Sequence, residues 1–135
     1  MKTKRPAGFL NVDLEIESSS PLDSLAEAMG KAVLVLYSGP GRGRSYLLCL
    51  EDSRWSNTPD SAARALCSAV ERLPVRDRRL WDRAKRKEFD VGYELPTGVR
   101  AVHIALQPGT LERMVAIGAT VAFTCYWGDS SEPGG

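Results

Sequence analysis

Residues 9–16 read Phe-Leu-Asn-Val-Asp-Leu-Glu-Ile, and this strict alternation is the strongest constraint on what the chain can fold into. Leu10, Val12, Leu14 and Ile16 take one side, while Asn11, Asp13 and Glu15 take the other. A period of two is that of a β-strand with one buried and one wet face. A sheet containing such a strand needs an apolar layer on one side only, and helices with matching apolar stripes must supply it.

The rest of the chain offers those elements. Ser18 to Ser20 break the strand, and Pro21, with Ser20 as N-cap, suits the first turn of a helix. Leu22, Leu25, Ala26 and Met29 form its amphipathic face, and Gly30 stops it. Residues 31–38 contain the apolar run Ala-Val-Leu-Val-Leu-Tyr, which reads as a strand buried on both faces. Gly39-Pro40-Gly41-Arg42-Gly43-Arg44 makes a turn, and residues 45–50 return as its hairpin partner. Two helices follow, from Thr58-Pro59 to Leu73 and from Arg76 to about Lys87. Residues 89–95 and 99–106 read as strands around the turn Pro96-Thr97-Gly98. A short helix over 110–117 and a strand over 119–127 close the domain.

The expected architecture is therefore α+β. It has an antiparallel-dominated sheet with helices on one face, in the order β-α-β-β-α-α-β-β-α-β. Residues 8–128 form the domain, between flexible ends at 1–7 and 129–135. A weak internal duplication accompanies this order. Leu22, Leu25, Tyr37 and Gly39 recur 89 residues later as Leu111, Met114, Tyr126 and Gly128, and Val12, Leu14 and Ile16 match Val102, Ile104 and Leu106. The centres of these elements predict a core of Leu14, Leu25, Leu34, Leu48, Leu66, Trp81, Ile104 and Phe123.

Phe89-Asp90-Val91-Gly92-Tyr93-Glu94, a hairpin, then Leu111-Glu112 and Ile117-Gly118-Ala119 leading into an aliphatic strand ending in Tyr126 form a further pattern. It resembles the bacterial domain of unknown function 4279 family. Leu25, Met29-Gly30 and Trp55 are compatible with the same pattern, so the resemblance extends over most of the chain and rests on structural motifs. It implies an α+β sandwich found in bacterial proteins of unassigned activity, some of them beside toxin genes. It carries no catalytic residues.

Composition narrows the function classes. Charged residues make up 26% of the chain, yet the formal net charge is only +1, so no global field drives it onto nucleic acid or a membrane. No apolar stretch follows the basic start Lys2, Lys4, Arg5, and none approaches the ~20 residues that span a bilayer. A cytoplasmic protein is expected. Cys49, Cys67 and Cys125 show neither a disulfide framework nor metal-ligand spacing, so no cofactor or metal is expected. The glycine-rich segment 39–45 lacks the lysine and following helix of a phosphate loop.

Two sets of candidate site residues remain. Arg76, Arg79, Arg83 and Arg86 fall at i, i+3, i+7 and i+10, one stripe on a continuous helix. With Arg42 and Arg44 on the hairpin tip, and Trp55 and Trp127 as aromatic anchors, they describe a surface for another protein. The expected function is a protein-binding module, an immunity-type inhibitor of a toxin with an acidic surface. Nucleic acid is disfavoured because aromatics do not interleave with the basic stripe. The alternative is a small acid–base enzyme. His103, the one histidine, alternates with Val102 and Ile104, and the duplication would place it on the sheet face of Asp13 and Glu15.

Overall fold

The computed structural model describes residues 8–127. The flexible ends expected at 1–7 and 129–135 lie outside them. Five strands form one sheet: β1 (Phe9–Ser18), β2 (Val33–Pro40), β3 (Tyr46–Asp52), β4 (Arg86–Leu95) and β5 (Thr120–Trp127). Their spatial order is β2-β3-β1-β4-β5, antiparallel except for the parallel pair β4–β5. Four α-helices, α1 (Asp23–Met29), α2 (Pro59–Glu71), α3 (Val75–Arg83) and α4 (Pro108–Ala116), cover one face. The α+β class and its one-sided helix layer are those the sequence predicts.

β1 organises the sheet, because it is paired on both sides. Val12, Leu14 and Ile16 point into the core with Leu48 and Leu50 of β3 and Phe89 and Val91 of β4. Leu10 departs from the alternation and is exposed. An irregularity in the ladder between Phe9 and Asn11 turns Phe9 inward instead.

The helices close over this surface through their apolar stripes. α2 starts at Thr58, whose side chain accepts a hydrogen bond from the Ser61 amide, with Pro59 in the first turn. It buries Ala62, Leu66, Ala69 and Val70 against β1 and β3. α1 begins at Asp23, two residues later than Pro21 suggests, and has no side-chain cap; Gly30 ends it at φ +59°. Three polar ties fix the layer. The Trp81 indole donates to the Ile117 carbonyl at 2.8 Å, Ser24 donates to buried Asp77 at 2.9 Å, and Arg113 of α4 meets Glu71 of α2 at 2.7 Å.

Two expectations need correction. β2 is not buried on both faces: Leu34, Val35, Leu36 and Tyr37 are all exposed, Leu34 by 44%. The run is an outer strand, and its helix-side burial is confined to Val33. Phe123 is likewise 53% exposed on the opposite edge strand, β5. A continuous apolar run does not by itself distinguish a central strand from an edge strand.

The second correction concerns residues 99–106, which make no strand pairing. The turn at 96–98 forms, with the Val99 amide donating to the Pro96 carbonyl and Gly98 at φ +85°. Because β4 and β5 run parallel, however, the chain must cross the sheet between them. The crossover is extended. Ile104 and Leu106 pack against the core while Ala101, His103 and Ala105 face outward. It lies so close to the start of β1 that a Cβ on Gly8 would come within 2.7 Å of Val102. The alternation is real but serves one-sided packing, so the strand part of the expected duplication is absent. Its helix–strand part survives as α1–β2 and α4–β5, which build the two edges of the sheet.

These placements predict the response to truncation. Leu14→Ala should destabilise by roughly 2–5 kcal/mol. Leu34→Ala and Phe123→Ala should each cost about 1 kcal/mol or less, because much of each side chain is already in solvent. Urea unfolding of the three variants checks the order, and a loss at Leu34 equal to that at Leu14 would refute the edge position of β2.

Candidate functional site

Among the described residues no helix or further strand lies over the face of the sheet turned away from the helices, and the residues of that face follow from the strand registers. Asp13 of β1 stands directly between Glu51 of β3 and Asp90 of β4. One step along the strands, Glu15 stands between Cys49 and Glu88; one more, Glu17 stands between Leu47 and Arg86. Leu34 and Tyr37 of β2 border Glu51 and Cys49 on one flank. On the other, Ala122 and Tyr126 of β5 border Asp90 and Glu94. The Tyr126 ring lies beside Gly92, where the missing side chain also leaves room for Asn11.

The charges on this face are unevenly compensated. Arg86 reaches Glu15 at 3.0 Å, Glu88 at 3.3 Å and Glu17 at 3.5 Å, and so binds one end of the face together. Burial disfavours its charge, but the bond to and charge of Glu15, aided by Glu88 and Glu17, hold its pKa above the ordinary value. Glu17 is held below its ordinary value by the Ser45 hydroxyl and then by Arg86. At the other end, the row Glu51–Asp13–Asp90 forms no ion pair with a cation among the described residues. Asn11 donates to Asp13 at 2.8 Å and to Glu51 at 3.2 Å, and Thr124 donates to Asp90 at 2.7 Å. Burial, then Glu51, Asp90 and Glu15, raise the Asp13 pKa from 3.8 to about 6. Burial and these same carboxylates push the Cys49 thiol up to about 12, which keeps it protonated and unreactive.

The residues expected to carry function are scattered relative to this face. Arg76, Arg79 and Arg83 are exposed on α3, but Arg86 is not on their helix: Ala84 turns extended, and Arg86 begins β4 among the acids. The four-residue stripe is therefore three residues long. Arg42 lies beside Glu17, Leu47 and Arg86 around a cavity of about 350 Å³ at the corner of the face, and Arg44 is exposed on the tip. Trp55 is 63% exposed at φ +54° and shares a narrow cleft with Phe9, Asn11 and Glu51, at the uncompensated end of the acidic row. Trp127 is exposed at the end of β5.

His103 does not join Asp13 and Glu15. It is exposed on the crossover, whose Ile104 and Leu106 contact the core on the helix side of the sheet. Its segment never enters the sheet, so the acid–base constellation is not assembled. Among the described residues, no three or more His, Cys, Asp or Glu are arranged to hold a metal ion. No helix among them is long and apolar enough to cross a membrane.

The acidic row was missed in the sequence because it depends on pairing between strands far apart in the chain. The available signal was in the alternate positions: Asp13 and Glu15 fall between the inward-facing Val12, Leu14 and Ile16, and Asp90 between Phe89 and Val91, while Glu51 and Glu88 each adjoin one such residue, Leu50 and Phe89. No protein-family model, curated protein or solved structure matches the chain.

The raised Asp13 pKa fixes a pH dependence. The unfolded chain ionises this group near 3.8 and the folded chain near 6, so the folded state binds the proton more tightly. Its destabilising effect is absent below about pH 4, grows as the pH rises through 6, and is complete above. Lowering the pH from about 7 to 5 should stabilise the protein by about 1 kcal/mol. Asp13→Asn should remove that gain and be the more stable form at pH 7. Melting curves at both pH values check this; parallel shifts in the two proteins would refute it.

Proposed function

We propose that this chain is a protein-binding module whose contact surface is the uncovered sheet face, and that its partner presents a basic surface. The observation that carries the reading is the row Glu51–Asp13–Asp90, three carboxylates side by side on adjacent strands of a face that no helix or strand among the described residues covers. Like charges directly opposite in a sheet destabilise it. Stability set aside at one locus without a packing gain is characteristic of sites under functional demand.

The surroundings support a protein partner. Interface energy concentrates in aromatic anchors, with charge giving orientation and association rate. Tyr37, Tyr126 and Trp55 are exposed around the row, and Leu34 adds an apolar contact. The sign of the face favours a cationic partner, opposite to the acidic one expected from the arginines. An immunity-type inhibitor then takes a definite form. A toxin that acts on a polyanion needs a cationic substrate surface, which an acidic face with aromatic borders complements.

The test uses three forms of the chain as bait in affinity capture from the cell of origin: wild type, Glu51→Gln/Asp90→Asn and Arg79→Glu/Arg83→Glu. A basic protein should be retained by wild type and by the arginine variant and released by the carboxylate variant. Its association rate with wild type should fall steeply with salt. A partner that is lost with the arginine variant and kept by the carboxylate variant would overturn the assignment of the face.

A further inference from the structure

On the helix side, the loop after β3 and the outer surface of α2 enclose a groove of opposite charge. The loop is anchored by Asp52, whose carboxylate accepts bonds from the Arg54 and Ser56 amides and the Ser56 hydroxyl. Ser53 ties it to the 3-10 turn Gly30–Ala32 that follows α1, its hydroxyl donating to the Lys31 carbonyl at 2.6 Å and its amide to the Ala32 carbonyl at 3.1 Å. Along α2, the positions Ser61, Ala65, Ser68 and Arg72 recur on one side, and small residues keep the floor low.

Two cavities of about 310 and 300 Å³ share Arg54, Ala65 and Ser68 and run into one another. Their chemistry differs. Lys31, Arg54 and Arg72 line the first, and all three are exposed and make no ion pair among the described residues. Asp52 also lines it, but its oxygens are occupied by the loop. In the second, Arg64 is paired with Asp60 at 3.2 Å and Arg113 with Glu71 at 2.7 Å. Arg113 also donates to Ser68 at 2.9 Å, which leaves the Ser68 hydroxyl proton available to donate. The hydroxyls of Ser56 and Ser61 complete a polar, largely neutral wall.

From this arrangement we infer that the groove is a binding site for a small phosphate monoester. The phosphate sits among Lys31, Arg54 and Arg72, and its hydroxyl-bearing remainder lies along α2 towards Ser61. Three cations set against the one charge of Asp52 leave a net positive charge that matches a dianion better than a single carboxylate. The adjoining half, where Arg64 and Arg113 are already paired and Arg54 stands at the junction with the first cavity, suits a neutral polar group such as a sugar. This site is on the opposite side of the sheet from the acidic face and is independent of the protein-binding reading.

Ribose 5-phosphate, inorganic phosphate and ribose are suitable probes, titrated calorimetrically into the full chain at low salt. Ribose 5-phosphate should bind, inorganic phosphate should bind more weakly, and ribose should not bind. Lys31→Gln/Arg72→Gln should leave the melting temperature unchanged, because both residues are exposed, and should weaken ribose 5-phosphate by at least about tenfold. Arg54→Gln alone should weaken it less and in the same direction. No binding of ribose 5-phosphate at millimolar concentration, or undiminished binding by the double variant, would overturn the site. Inorganic phosphate binding as tightly as the ester would overturn the assignment of the α2 half.

Discussion

β1 is hydrogen-bonded on both sides, and its alternation determines what each face of the molecule can be. Val12, Leu14 and Ile16 carry the core; Asp13, Glu15 and Glu17 stand on the reverse of the same strand. A shift of one residue in either ladder would send the carboxylates under the helices and the aliphatic residues into water. The acidic face is therefore locked to the hydrophobic core: the register that buries Leu14 between Leu50 and Phe89 also sets Asp13 between Glu51 and Asp90.

That coupling explains why the repulsion persists. Asp13 cannot move away from its neighbours without unpairing the central strand. The relief available to it is hydrogen bonding from Asn11 and a proton held up to about pH 6. At the far end Arg86 partly offsets Glu15, Glu17 and Glu88 and staples β4 to β1, so the carboxylates without an ion pair among the described residues are concentrated at the other end. A formal charge of +1 conceals this polarity. Acids gather on the open sheet face, while Lys31, Arg54 and Arg72 gather around a groove on the helix side.

The fold was largely legible in the sequence because its signals are local. β1, the α2 cap at Thr58-Pro59 and the stop at Gly30 each follow from a few adjacent residues. Where local pattern and tertiary position part company, the reading failed. The apolar run of β2 looks like a central strand and lies on an edge; residues 99–106 alternate like a strand and form a crossover. The site was less legible for the same reason. Arg86 continues the arginine spacing in sequence, but the helix ends at Arg83, and His103 meets Asp13 only if its segment joins the sheet. Glu51 and Asp90 become neighbours of Asp13 through two ladders that no short window contains.

The claim on which this account rests is that register forces three carboxylates together on the sheet face opposite the helices. Its most direct measurement is an NMR titration of the Asp13 side-chain carboxyl carbon, in the native chain and in Asp90→Asn. The account predicts a midpoint near 6 in the native chain, moving towards the ordinary aspartate value when Asp90 loses its charge. A native midpoint near 4, unmoved by Asp90→Asn, would contradict it.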